Sequence, residues 1–282
     1  MNESTRTRTL LVRLLTICWL PVLLVAAWFV VSANSTDVFW PPLATILDEL
    51  VTSFTAGTMW SDLGYSFTNY FAGLAIALVV AMAIGILVGE VTVLHKTLMP
   101  FLDFARATPH VSFVPIIILG FGIGAGPKIF LIAFACLWPI LLNTIDGIRA
   151  VPASVHESAR AFRIPLHLRI LKVTLPGALP QIVVGVRIAI SVGVVMLIVS
   201  EMFGADRGIG YFIVDTGANF AIASTWAGVI LIGLIGYLLS QAFSLLENRL
   251  LRWHRQFVPS GKTKASSPLP GSDSASLASA LN

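Results

Sequence analysis

The feature that most limits what this chain can become is a series of long apolar runs almost free of charge. Leu14–Val31, Ser66–Gly89, Leu98–Phe121, Ile129–Ile145, Gln181–Ser200 and Trp226–Leu246 each approach the roughly 20 residues a helix needs to cross bilayer hydrocarbon. Of the 282 residues 11% are charged and 56% hydrophobic, against about 25% charged in soluble domains. In lipid every backbone amide must find its partner within the chain, which leaves helices or closed barrels. Runs of this length are helical in kind. The expectation is an all-α integral membrane protein of six transmembrane helices, with one compact membrane domain.

Charge orients the spans. Of 18 Lys and Arg, only Lys128 and Arg207 fall on one side of the six-span arrangement. The rest fall in the loops, tails and helix halves of the other side, which the positive-inside rule makes cytoplasmic. Both termini are then cytoplasmic. Arg6, Arg8 and Arg13 precede the first run, and Trp28-Phe29-Val30-Val31 has no small-residue cleavage pattern, so a cleaved signal peptide is not expected. The net charge of +4 flanks apolar spans and gives no reason to expect nucleic-acid binding.

Between the spans the chain reads as follows. Residues 33–64 are polar and exterior, with Pro41-Pro42 and a short surface helix at Thr45–Phe54. Gly85-x-x-x-Gly89 either lets another helix approach closely or has no partner. Pro100, Pro109 and Pro115 break the third span, and Asp103 and Arg106 are spaced to pair. His110, beside Pro109, reads as a packed, satisfied histidine rather than a ligand. Gly120 to Lys128 reads as an exterior turn, and its glycine alternation is not a nucleotide fingerprint. Arg187 lies inside the fifth span with no acid nearby in sequence; it either snorkels to the interface or faces an anion pathway. Glu201, Asp206 and Arg207 mark the outer mouth or touch a partner there. Trp19, Trp28, Trp40, Trp60 and Trp253 fall near interfaces, where aromatic belts are expected. From Pro259 on, Ser, Pro, Gly and Ala dominate, as in a disordered tail.

Several chemistries are excluded by omission. There is no catalytic pair or triad, no metal-ligand set, and no Gly-x-x-x-x-Gly-Lys-Ser/Thr phosphate loop, so no cofactor is expected and ATP cannot be hydrolysed by that route. Cys18 and Cys136 lie in apolar runs and imply no disulfide. No acid lies in the middle of a span and no inverted repeat is visible, which argues against an ion-coupled secondary transporter or channel.

The longest polar interruption is Val151–Pro180, with Arg160, Arg163, Arg169, Lys172, His156 and His167 against one acid, Glu157. Ser154 and Glu157 are spaced as a capping box for a helix running to about Phe162. Val155, Ala159 and Phe162 share one apolar face of that helix. Ile164-Pro165 breaks it, and Pro165 opens a second helix that ends before Pro176.

This stretch resembles the EAA loop of ABC importer permeases. The family pattern has Glu-Ala-Ala, then Gly, an aliphatic and Leu-Pro; here stand Glu157-Ser158-Ala159, Arg163, Val173 and Leu175-Pro176 at matching spacing. Arg163 replaces a glycine suited to positive φ, where another residue costs about 1–2 kcal/mol. The likeness extends over about residues 38–255: Phe39-Trp40-Pro41-Pro42, Ala107-Thr108-Pro109, Phe121-Gly122-Ile123-Gly124, Glu201-Met202 with Gly208-Ile209-Gly210, and Leu246-Glu247. It is similar to the aliphatic-sulfonate, nitrate and taurine subgroup, which includes bicarbonate and thiamine-precursor transporters, although Asn69 stands where many of these carry arginine.

The resemblance implies a type I ABC importer transmembrane-domain fold. It divides the chain into an N-terminal span with exterior segment (1–64), a transmembrane type-1 domain (65–247) holding the coupling loop (151–180), and a cytoplasmic tail (256–282). It implies a bacterial inner-membrane homodimer over an ABC ATPase dimer, with a soluble or lipoprotein solute-binding protein on the exterior. Glu157, Ser158, Ala159, Arg160, Phe162 and Arg163 would form the ATPase-coupling surface, with Arg187 and Glu201 as pathway or outer-mouth candidates.

Overall fold

A computed structural model describes residues 19–252. Arg6, Arg8, Arg13, Cys18, the first residues of the Leu14–Val31 run, Trp253, and the 256–282 tail lie outside the described residues. The elements are α1 (Trp19–Ser32), α2 (Leu43–Thr55), α3 (Thr58–Glu90), α4 (Thr92–Ala107), a 3-10 turn (His110–Phe113), α5 (Val114–Phe121), α6 (Ala125–Arg149), α7 (Ala153–Ala161), α8 (Leu166–Arg169), a π turn (Ile170–Thr174), α9 (Leu175–Gly204), α10 (Ile209–Ala218) and α11 (Ile222–Leu250). There is no strand among the described residues.

Four helices are long and apolar enough to cross a membrane: α3, α6, the continuous Leu166–Gly204 rod made of α8, the π turn and α9, and α11. The pair α4 and α5 makes a fifth, bent by 80°. The described part of α1 is too short to count, so the expected six is four or five among the described residues.

The rods pack through small residues. In α3 the positions Gly73, Ala77, Ala81, Gly85 and Gly89 recur every four residues and are buried as one stripe. That stripe lies on α6. A Cβ on Gly73 would stand 2.8 Å from Ile132, one on Gly85 2.7 Å from Thr144, and one on Gly89 2.9 Å from Ile148. The contacts advance together along both helices, so α3 and α6 run parallel. The Gly85-x-x-x-Gly89 pair thus has its partner. On the other side of α6 the contacts run oppositely. Gly147 meets Ala178, Gly185 meets the Pro139 carbonyl, and Gly193 meets Cys136. α9 is therefore antiparallel to α6, and α6 is the central rod.

Two sequence expectations fail here for physical reasons. The helix after Pro165 does not stop before Pro176. The wider π turn at Ile170–Thr174 shifts the hydrogen-bond ladder, with Leu175 N donating to Ile170 O, and the rod runs on through Pro176 without ending. Nor is Lys128 in an exterior turn: it lies within the first turns of α6 and is 1% exposed. The tryptophans also do more than stand at interfaces. Trp28, Trp40 and Trp226 pack with ring centroids 5.6–5.8 Å apart, tying α1 and the Phe39–Pro42 segment to α11.

Gly85→Leu is expected to lower the stability of the detergent-purified protein by about 2 kcal/mol through overpacking. Gly64→Ala, whose added carbon meets open space, leaves it unchanged; thermal unfolding of the two variants checks this.

Candidate functional site

Three polar constructions interrupt the apolar bundle. The first is the basic elbow between α6 and α9. Pro152, with ψ of 139° typical of an extended residue, precedes α7 and acts as its N-cap without any side-chain cap bond. The expected capping box is therefore absent. Ser154 lies inside the helix, where its carbonyl accepts from Ser158 Oγ at 2.8 Å. The proline already fixes the entry geometry, so a hydroxyl cap is not required.

The end of α7 keeps the left-handed turn of the resembling loop with arginine in the glycine's place. Arg163 adopts φ of 52°, and its amide donates to Arg160 O at 2.9 Å while Ile164 N donates to Ala159 O at 3.0 Å. This pair of bonds is the Schellman closure that usually takes glycine. Arginine carries the left-handed strain because both bonds hold it there. Pro165 then serves as N-cap of α8, one residue before its expected place as the first helical residue.

The face expected to join Val155, Ala159 and Phe162 is split. Ala159 is 4% exposed and faces into the chain, whereas Phe162 is 81% exposed. Glu157, Ser158, Arg160 and Arg163 are exposed as well. Behind α7 lies a cavity of about 410 Å³ whose lining includes Glu90, Arg149, His156, Glu157, Arg160 and Arg169. Arg169 pairs with Glu90 at 3.7 Å, both side chains being largely buried. Arg149 reaches Gly89 O at 3.4 Å. The elbow is thereby tied to the end of α3.

The second construction concerns Arg187. The sequence places no acid near it, but the fold brings Glu247 of α11 into an ion pair with it. The charge is paired across the α9–α11 seam, with the Arg187 side chain 48% exposed. The exposed pair expected between Asp103 and Arg106 forms at 3.1 Å.

The third construction is at the opposite end of the bundle from the elbow. Glu201, expected to mark the outer mouth or to touch a partner there, is 0% exposed. Ser66 Oγ donates to its two oxygens at 2.8 and 3.0 Å, and Gly210 N donates to it at 2.9 Å. Ile209 N donates to Ser66 Oγ at 3.1 Å, and Gly208 N to Asp62 Oδ1 at 2.9 Å. Three of the free amides that begin α10, those of Gly208, Ile209 and Gly210, are therefore satisfied by α3 and α9, and the carboxylates sit at the positive end of the helix dipole. Gly208 has φ of 113°, and a Cβ there would lie 2.6 Å from the Glu201 carboxyl, so both backbone and space require glycine. Lys128 donates to Tyr65 OH at 3.0 Å, and Arg207 stacks on the same ring at 4.6 Å. Asp62, Tyr65 and Ser66 were not singled out from sequence. Their one signal is the polar spacing on the first turns of α3.

With this geometry in view, the comparisons decide the family. Residues 81–252 match the family model described as binding-protein-dependent transport system inner membrane component. The chain belongs to this family. It is a multi-pass permease component of an ABC importer. Similar proteins include the taurine transport system permease protein of Escherichia coli (strain K12), 30% identical and covering 85% of this chain and 90% of its own. The bicarbonate transport system permease protein of Synechococcus elongatus is 34% identical over 70% of each chain. A solved chain from inward-facing conformations of the MetNI methionine ABC transporter matches the fold with TM-score 0.60 and 17% identity, covering 70% of this chain and 97% of that one.

Two stability changes of opposite sign are expected, each read by thermal unfolding of the detergent-purified permease. Ser66→Ala leaves the Glu201 carboxylate and the Ile209 amide each one bond short and costs about 2 kcal/mol. Arg163→Gly relieves the left-handed strain and gains about 1 kcal/mol.

Proposed function

We propose that this permease forms the solute path of an ATP-driven importer as one of two copies, and that the elbow is where an ABC ATPase dimer pushes on it. Both termini and the elbow face the cytoplasm of a bacterial inner membrane. A solute-binding protein delivers cargo to the opposite face. The observation that carries this reading is the form of the elbow itself. A short helix projects from the bundle with an exposed aromatic, Phe162, among basic and acidic neighbours, while its root is tied to α3 through Arg169 and Glu90. An exposed anchor on a rigid root suits docking into a groove, with the force passed to the spans.

Glu157, Ser158, Arg160, Phe162 and Arg163 form the docking surface. Ala159, being buried, lets α7 seat closely on its own chain. The solute is a small anion bearing an oxyanion group. The taurine and bicarbonate permeases among the relatives support that class. The sequence carries no Gly-x-x-x-x-Gly-Lys-Ser/Thr phosphate loop, which supports a partner as the source of energy.

Phe162→Asp is expected to lower ATP-driven uptake in reconstituted vesicles by about 30-fold, as loss of a roughly 2 kcal/mol interface anchor would, with normal membrane insertion. Normal uptake and ATPase coupling in that variant would remove the elbow from the docking role. Uptake by the wild-type protein that persists after ATP removal would favour an ion-coupled transporter instead.

A further inference from the structure

Where the bent α4–α5 pair breaks against α6 lie two buried polar atoms, one on each side of the contact. α4 stops at Ala107, and Thr108 and Pro109 are extended, with ψ of 128° and 108°. The chain then turns through His110–Phe113 into α5. His110 packs at this break against Phe134 and Trp138 of α6, with ring centroids 5.5 and 6.0 Å away. Phe134 stands edge-on to Trp138 at 5.7 Å, and Phe113 meets Phe134 at 5.6 Å. Within this aromatic box His110 Nε2 and Trp138 Nε1 are both buried and have no hydrogen-bond partner among the described residues. The expectation of a packed histidine holds, but that of a satisfied one does not.

Three observations point the same way. The box lies level with the middle of α6, which runs Ala125–Arg149, and so at mid-depth in the bundle. Its non-helical backbone is open on the surface of a single copy, since Pro109, Val111 and Ser112 are exposed. Irregular backbone at that depth is tolerated only where protein covers it or where it lines a wet cavity, never against lipid. Finally, phenylalanine at either ring position would keep the packing and remove a costly orphan nitrogen. Stability alone therefore argues against His110 and Trp138.

We propose that the Thr108–Ser112 break is the solute's resting point in the membrane. When the break opens, Trp138 Nε1 and His110 Nε2 donate to the oxygens of the solute's oxyanion group, and Phe113 and Phe134 wall off water. Broken helices at mid-depth are the usual place for such a contact in transporters. The Trp138 indole can only donate, and with no carboxylate among these rings the box selects an acceptor group over an ammonium. This deepens the importer reading above and rests on it.

The test uses the full permease reconstituted with its ATPase and binding protein, and four probes: nitrate, taurine, bicarbonate and methanesulfonate. His110→Phe and Trp138→Phe are each expected to cut the maximal uptake rate of the transported probe by about 10-fold or more, as loss of one charge-assisted bond would. Thermal unfolding temperature stays equal or rises, and the half-saturating concentration, set by the binding protein, stays put. Wild-type uptake rates in both variants would overturn the proposal. So would a loss of uptake that tracks a loss of stability, because the rings would then be structural. Wild-type uptake that ignores ATP removal would instead overturn the importer reading, and the two variants' rates would still decide the site.

Discussion

Close approach of three helices through small side chains is the interaction on which the rest of the structure depends. Lipid tails are as apolar as leucine, so rods in a bilayer gain nothing by merely hiding hydrophobic surface from each other. They gain by dispersion contact and by exclusion of mobile tails, and both need backbones near enough to touch. The stripe of Gly73, Ala77, Ala81, Gly85 and Gly89 on one side of α6, and Gly147, Gly185 and Gly193 on the other, provides that nearness. Polar groups then share the seam cheaply: Tyr70 OH donates to Ile190 O at 3.0 Å and Cys136 Sγ to Ala189 O at 3.3 Å.

The two polar ends of the molecule hang on the same rod. Glu90 closes α3 and holds Arg169 of the elbow. Asp62 and Ser66, in the first turns of α3, hold the start of α10 and the Glu201 carboxyl. The elbow is therefore joined to α3, which reaches the far end as one unbroken helix of 33 residues. The bent α4–α5 pair has no such continuity. A device that moves solute needs both kinds of element: stiff members that carry load and a joint where the lumen can change shape.

Much of this was legible along the chain because its causes are local. The spans follow from runs of apolar residues, and the short helix at 45–54 from its own pattern; it is observed as Leu43–Thr55. The positive φ at Arg163 is one of the two readings that the glycine of the resembling loop left open, and it is the one observed. What failed were readings that depend on partners far away in sequence. Glu201 looked like a mouth residue, but Ser66, 135 positions away, buries it. Arg187 looked unpaired, but Glu247 is 60 positions away. Ser154 looked like a cap, yet Pro152 had already set the helix start.

By itself the sequence determined that this is a helical membrane protein with a basic elbow between two of its spans, because apolar length and charge placement act through the solvent and need no knowledge of neighbours. Only the tertiary structure decided which polar groups are satisfied and which are left open. A hydrogen bond is a matter of two atoms meeting, and here the meeting atoms come from different rods. His110 and Trp138 show the same rule from the other side: their isolation is visible only once every neighbour is in place.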